Sequence, residues 1–231
     1  MMESKEYELL YDKCGLEIGG PTRRYEGIFK LYDNIKSMDG VNFSSETIWE
    51  GAITEGDTFK YGNGRIGRQY ICEATDMNMI ESNKYDFVLS CNNLEHIANP
   101  LKAISECLRV LKLGGLLLLM LPNKDSNFDH KRSVTKMKHL MDDYDNSVGE
   151  DDLSHLGEEL LYHDLPMTPE CGDRNFFMER SLNNFENRCL HHHVFDMNLL
   201  EEIFNYFKIE VVIRECIPSD FIILGRKVAD I

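Results

Sequence analysis

Two apolar runs close to the C-terminus, FKIEVVIREC (207–216) and DFIILGRKV (220–228), are separated by Ile217-Pro218-Ser219 alone. Three residues cannot hold the crossover that a parallel pair needs, so the runs must be antiparallel neighbours. Upstream the chain reads differently. YDFVLS (85–90) is followed by a helical stripe with apolar residues at 101, 104, 108 and 111, and then by the unbroken apolar run Leu116–Leu121. A strand, an amphipathic helix and a strand buried on both faces make a parallel βαβ unit. A mostly parallel sheet ending in an antiparallel hairpin is uncommon, and it leaves few folds open.

Shorter signals fill in the rest. A strand at Cys14–Ile18 runs into Gly19-Gly20-Pro21, and a short helix is expected over Tyr25–Tyr32. A second strand falls at Ile35–Met38 or at 41–43, and a third at Gln69–Cys72. Asn99 caps and Pro100 opens the helix that follows YDFVLS, and Gly114-Gly115 is expected to stop it. Asp196 caps a helix reaching to about Tyr206. Between lies 122–193, polar, irregular and holding most of the eight histidines. It leaves the C-terminal end of a central strand, the edge at which open α/β sheets bind ligands, and unstructured stretches of this length are usually functional.

Charge narrows the class. Lys and Arg number 25 against 40 Asp and Glu, a net charge of −15. That balance excludes a nucleic-acid binder working through a broad basic face and disfavours an anionic membrane surface. The seven cysteines are odd in number and form no CxxC pair, which reads as reduced thiols in a cytoplasmic protein without a zinc motif. MMESKEYELLYDK is charged and has no apolar core, so no signal peptide is expected, and Leu116–Leu121 is too short to span a bilayer.

Two turns could hold a ligand. In LEIGGP (16–21) the Gly19-Gly20 backbone allows close approach, and Glu17 can accept from a cation or hydroxyl; a plain strand-to-helix turn fits equally well. In CEATDM (72–77), an acid beside a small residue suits an adenine edge, but a turn with a helix cap gives the same pattern.

Residues 85–122, YDFVLSCNNLEHIANPLKAISECLRVLKLGGLLLLMLP, carry a resemblance. A strand, a polar turn, Leu-Glu-His, Asn-Pro, an amphipathic helix ending in Arg-Val-Leu-Lys, a Gly-Gly pair and an apolar strand resemble the central signature of class I S-adenosylmethionine-dependent methyltransferases of the type-11 kind. The likeness extends over about 13–121, departing at GGPTRR where the family has GxGxG. It implies a single Rossmann-like α/β domain over 1–231, with a seven-stranded mostly parallel sheet, a C-terminal antiparallel hairpin, and 122–193 as a long acceptor-side insert after strand five. The implied cofactor is S-adenosyl-L-methionine. It has no phosphate and carries an ammonium, so a short glycine turn beside an acid suits it.

The cofactor residues expected on that basis are Glu17, Gly19, Gly20, Asp39, Glu73, Ala74, Asp76 and Asn92. Asp39, about twenty residues past the glycine turn, is the ribose candidate; a surface Asp in a turn before Gly40 is the alternative. Glu73 or Asp76 would meet the adenine amine, and Asn92 the methionine part.

NFDHKRSVTKMKHLMDDY, EDDLSHLGEELLYHDL and ENRCLHHHVFD resemble methyltransferases that accompany glycosyltransferases in bacterial surface-polysaccharide pathways. The resemblance implies a sugar hydroxyl as acceptor, on a small molecule, nucleotide sugar or glycan. An amine or phosphoramidate of the same pathway stays open. So does a homodimer. His193, His191 and His130 are the candidate bases, His193 first because it directly precedes the Val194-Phe195-Asp196 helix entry. His96 and Arg132 are candidates for the acceptor, Arg132 if that acceptor is anionic. If 190–195 is extended, His191 and His193 share a face. Two ligands do not make a metal site, so none is expected. The acidic run Asp142 to Asp152 reads as a solvated face. An NAD-dependent oxidoreductase would need a fuller glycine fingerprint. A non-catalytic cofactor-binding scaffold differs from an enzyme only in turnover.

Overall fold

The computed structural model describes residues 8–23 and 31–230. The helix expected over Tyr25–Tyr32 lies, up to residue 30, outside the described residues; Leu31–Asp33 forms a single 3-10 turn.

Five parallel strands make the centre of one sheet: β1 (Cys14–Ile18), β2 (Ser37–Asn42), β6 (Arg65–Ile71), β7 (Tyr85–Cys91) and β8 (Leu111–Pro122). Two-residue strands β3 (Glu46–Thr47) and β4 (Gly51–Ala52) pair apart from it. β5 (Gly56–Tyr61) pairs antiparallel with β6 at one edge. At the other edge β10 (Asp220–Lys227) pairs antiparallel with β8, and β9 (Ile209–Cys216) with β10. The order is β5-β6-β2-β1-β7-β8-β10-β9, eight strands rather than the expected seven. The eighth is β5. It turns into β6 through Gly62-Asn63-Gly64, whose glycines take φ +52 and +79, the asparagine–glycine hairpin signal in plain form. Phe59 of β5 then lies across Gly40 of β2, where a Cβ would fall 2.1 Å from the ring.

The helix after β7 is α1 (Pro100–Val110); the Asn99 side chain accepts from the Lys102 N–H at 3.1 Å. It ends four residues before Gly114. Leu111 is already extended and opens β8, and residues 112–115 bulge out of register, with Tyr85 opposite Leu111 but Phe87 opposite Leu116. Gly114, at φ +78, therefore shapes a bulge and not a helix stop.

β8 shows why the core has two halves. Leu117, Leu119 and Leu121 join a cluster with α1 and α6 (Met197–Tyr206), while Leu116, Leu118 and Met120 join Leu10, Leu31, Tyr32 and Phe59 on the other face. Alternation by two sends every second side chain to each layer. Asp196 caps α6 through the Leu199 N–H at 2.8 Å.

Residues 123–196 are not irregular throughout. They hold α2 (Met137–Asp145), α3 (Leu156–Tyr162), α4 (Arg174–Leu182) and α5 (Asn184–Asn187). All seven cysteines are free, and only Cys216 is exposed. Among the described residues no helix is long and apolar enough to cross a membrane.

Candidate active site

β1, β2, β6, β7 and β8 stop at one edge, and a cavity of about 1140 Å³ opens there. That exceeds the range of roughly 300–1,000 Å³ common for one ligand. β1 ends at Ile18. Gly19 follows at φ +74, its N–H donating to the Val41 carbonyl at 2.8 Å. Asn42, closing β2, donates from Nδ2 to the Gly20 carbonyl at 3.0 Å and fastens the turn to the strand. Cys72, Glu73 and Ala74 leave β6, and Asn92 and Asn93 leave β7. The 123–196 segment supplies the opposite wall, including Phe128, His163, Arg188 and His191.

Of the residues expected from sequence, Gly19, Glu73, Ala74, Asn92, His96 and His191 line this cavity. Seven others do not. Glu17 is fully buried; Oε2 accepts from the Tyr32 hydroxyl at 2.6 Å and Oε1 from the Thr22 N–H at 2.9 Å. Burial pushes its pKa up to about 7. A Cβ on Gly20 would lie 2.2 Å from the Glu17 carboxyl carbon, so both residues shape the turn from beneath. Asp39 sits within β2 opposite Leu16, short of the strand end, and is neither at the cavity nor in a turn. It accepts from the Tyr85 hydroxyl at 2.7 Å, Lys84 Nζ at 3.3 Å and the Arg68 N–H at 2.9 Å. Asp76 is exposed and is not among the residues lining the cavity.

His130 bonds Asp164 at 2.7 Å outside the cavity. Arg132 meets acids of its own chain instead of an acceptor. It is 2% exposed; Nη1 donates to Asp129 at 3.0 Å, Glu159 at 2.7 Å and the His191 carbonyl at 2.9 Å. His193 is 1% exposed, and Nε2 lies 3.2 Å from the Ala98 carbonyl. Residues 190–195 form no strand, so alternation does not bring His191 and His193 to one face.

His191 carries the sharpest chemistry. Its Nδ1 lies 2.6 Å from Asp129 Oδ2, and Asp129 in turn is held by Arg132. Burial opposes protonation of the ring, but the charge and hydrogen bond of Asp129 outweigh it and set the pKa above the ordinary imidazole value. Burial also opposes ionisation of Asp129, and His191 and Arg132 overcome it, holding that carboxyl well below the usual range. His96 packs edge-on to His191 at 4.5 Å, and burial, then the neighbouring His191, keeps it neutral. Burial takes Glu95 up to about 7.

Sequence reasoning passed over Arg188. It takes a left-handed conformation at φ +52, donates to Glu73 at 2.6 Å, forms an ion pair with Glu150 at 3.0 Å, and lies 4.9 Å over the Phe43 ring. Glu150 and Asp143 belong to the acidic run read as solvated, yet Glu150 is pushed up to about 7 by burial and Asp143 is only 8% exposed. A lone Arg or Glu in a polar stretch carries no signal of this kind. Trp49, the one tryptophan, stands half exposed at the rim, 5.3 Å from His96.

Gly19→Val is expected, from sequence, to abolish S-adenosylhomocysteine binding with the fold intact. The geometry adds a cost to the fold. The positive φ disfavours any side chain by ~1–2 kcal/mol, and a Cβ would fall 2.5 Å from Asn93 Nδ2. The expected result is lost affinity by calorimetry together with a Tm lower by several degrees. An unchanged Tm would show that the turn relaxes.

Residues 28–119 match the family model described as "Methyltransferase domain". A search of curated proteins gave no match. Among solved structures, a S-adenosylmethionine-dependent methyltransferase from Methanosarcina mazei is 17% identical, with 99% of this chain and 98% of that one covered and a TM-score of 0.52. A chain from the complex of the Haloferax volcanii Trm112 methyltransferase activator with a methyltransferase is 11% identical, with 98% and 89% covered and a TM-score of 0.51. At these identities the likeness is one of fold. With the domain match, it supports S-adenosylmethionine as the cofactor.

Proposed function

We propose that this chain is a methyltransferase carrying a methyl group from S-adenosylmethionine to a hydroxyl of a sugar or sugar-linked acceptor, a nucleotide sugar foremost, with His191 as general base. The observation that carries the reading is a His–Asp pair on the wall of a cavity at the carboxyl edge of the parallel sheet. The residues fit the cofactor: a glycine turn at Gly19, Glu73 and Ala74 past β6, Asn92 past β7, and in Glu95 a buried acid whose Oε2 has no hydrogen-bond partner. Bound there, the cofactor supplies an electrophilic methyl on a sulfonium. The protein's main task is alignment. A hydroxyl must also lose its proton, and His191, with Nδ1 given to Asp129, keeps Nε2 as the accepting nitrogen.

Trp49, Phe43 and Phe128 offer the cavity apolar faces on which the C–H side of a sugar ring can pack. Arg180 lies over the Phe177 ring at 5.4 Å with no carboxylate partner among the described residues, a free cation for a phosphate-bearing acceptor. The resemblance of the 122–193 motifs supports a setting in bacterial surface-polysaccharide assembly, and the free cysteines suit a cytoplasmic one.

The test is release of S-adenosylhomocysteine against a panel of nucleotide sugars, with methylated product identified by mass. The expected result is turnover on at least one sugar. Turnover only on an amine or phosphoramidate would overturn the acceptor. Tight S-adenosylhomocysteine binding with no turnover on any acceptor would leave a scaffold.

A further inference from the structure

Beside the cavity, and not part of its wall, four side chains from three separate stretches converge. His139 and Asp143 are one turn apart on α2, His155 precedes α3, and His193 lies in the stretch before α6. One donor atom from each falls within 4.8 Å of all the others. His139 Nε2 is 3.0 Å from His155 Nε2 and 3.4 Å from Asp143 Oδ2. A tetrahedral zinc ion, with bonds of about 2.0–2.2 Å to nitrogen and oxygen, holds its ligands about 3.3–3.5 Å apart. The two observed spacings fall within, or about 0.3 Å short of, that range.

We propose that His139, Asp143, His155 and His193 bind a divalent transition-metal ion, zinc by its donor set, in a closed structural site that pins the roof of the cavity.

Hydrogen bonding among the four does not account for the cluster. A bond between His139 and His155 explains one contact, yet Asp143 Oδ2 and His193 Nδ1 are buried without a hydrogen-bond partner. A buried carboxylate oxygen left among imidazoles lacks the positive charge that would make its burial tolerable. His193 Nε2–H is given to the Ala98 carbonyl, the backbone contact that commonly orients a ligating ring, and Nδ1 is left to face the ion. Asp152 and His192 form another group with His155, but that set offers three ligands and spends the same imidazole. Four protein ligands leave no open position, which marks a structural site and not a catalytic one.

The consequence lies two residues away. His191 and Arg188 sit on the stretch that His193 anchors, so the ion would fix the wall carrying the base. No zinc spacing is visible in the sequence, because the ligands stand at 139, 143, 155 and 193 and only the pair on α2 has a helical period. The inference does not depend on the methyl-transfer reading.

The test is metal content of the full chain, purified without an affinity tag. We expect about one zinc per chain after dialysis, and a cobalt-substituted protein with the visible absorption of a tetrahedral centre. Chelation should lower Tm on the order of 10 °C, reversed by added zinc. His139→Ala and Asp143→Asn should bind zinc at least roughly a hundredfold more weakly, and chelator should not move their Tm. His130→Ala, outside the cluster, should keep its zinc. Substoichiometric metal with no response of the wild-type Tm to chelator or zinc would overturn the proposal, as would variants that retain the ion. A poorly folding variant leaves the wild-type measurements decisive.

Discussion

His191→Ala should lower kcat by roughly 10²–10⁴, the usual worth of a general base, while S-adenosylhomocysteine affinity by calorimetry stays near that of the wild type. The split follows from position. His191 lines the cavity from the 123–196 wall, whereas the glycine turn and the β6 loop that would hold the cofactor lie on the sheet side. The pH profile gives a second readout. The base must be neutral to accept a proton, and Asp129 raises its pKa. Rate should therefore fall as pH drops through a value above the ordinary imidazole range. Asp129→Asn removes the raising charge, so that acidic limb should move to lower pH while the plateau also drops through loss of orientation. His193→Ala should behave differently, changing metal content and Tm while leaving the position of the acidic limb unmoved. Near-wild-type kcat in His191→Ala with an accepted substrate would sink the assignment, and so would an acidic limb that persists unchanged.

Contrast among these histidines shows what a sequence carries and what it does not. In β7-α1 the apolar run YDFVLS, the helical stripe and the Asn99-Pro100 start all point the same way, and the structure follows them to within a residue; β8, expected from Leu116, opens five residues earlier at Leu111, because the glycine pair makes a bulge inside the strand instead of ending the helix. The C-terminal hairpin was legible for a cruder reason, since Ile217-Pro218-Ser219 is too short for anything else. β5 was missed: Gly62-Asn63-Gly64 carries a hairpin signal, but the apolar residues Phe59 and Tyr61 are few and the rest of the strand is exposed or half-buried. Its burial is decided by Gly40, a glycine on another strand, and no local pattern records that contact.

The site divides along the same line. Gly19, Glu73, Ala74 and Asn92 lie at strand ends, and a strand end can be read locally. Asp39 misled because strand β2 runs through Gly40 to Asn42, placing the acid inside the sheet rather than at its edge. His191, His192 and His193 are identical neighbours with three different fates. One meets Asp129 at the cavity, the next bonds Asn184 at 3.1 Å, and the last faces the α2 cluster. Those fates depend on partners 8 to 62 residues away, and a stretch outside any strand or helix offers no period by which to sort them.

Arg132→Ala should be among the most destabilising single changes in the chain. The guanidinium is 1% exposed and lies between Asp129 and Glu159, themselves 3% and 1% exposed, with Glu158 at 3.2 Å beyond. It also donates to the carbonyls of His191 and His192. Removing one partner of a buried ionic cluster costs about 3–5 kcal/mol, because the charges left behind are uncompensated. For a chain of this size that is a Tm lower by roughly 6–20 °C. Lysine should restore little, since its single ammonium cannot serve two carboxylates and two carbonyls from one plane. The sign with pH is distinctive. In the wild type the depressed pKa of Asp129 contributes stability that is present above the unfolded carboxyl value and lost as pH falls through the folded one. In the variant the stranded carboxylates have raised pKa values, so their penalty is relieved by protonation as pH falls. The Tm gap between the two proteins should therefore narrow from pH 8 to about pH 5. A gap of only a degree or two, or one constant across that range, would show that the cluster is solvated in solution and that Arg132 does not carry it.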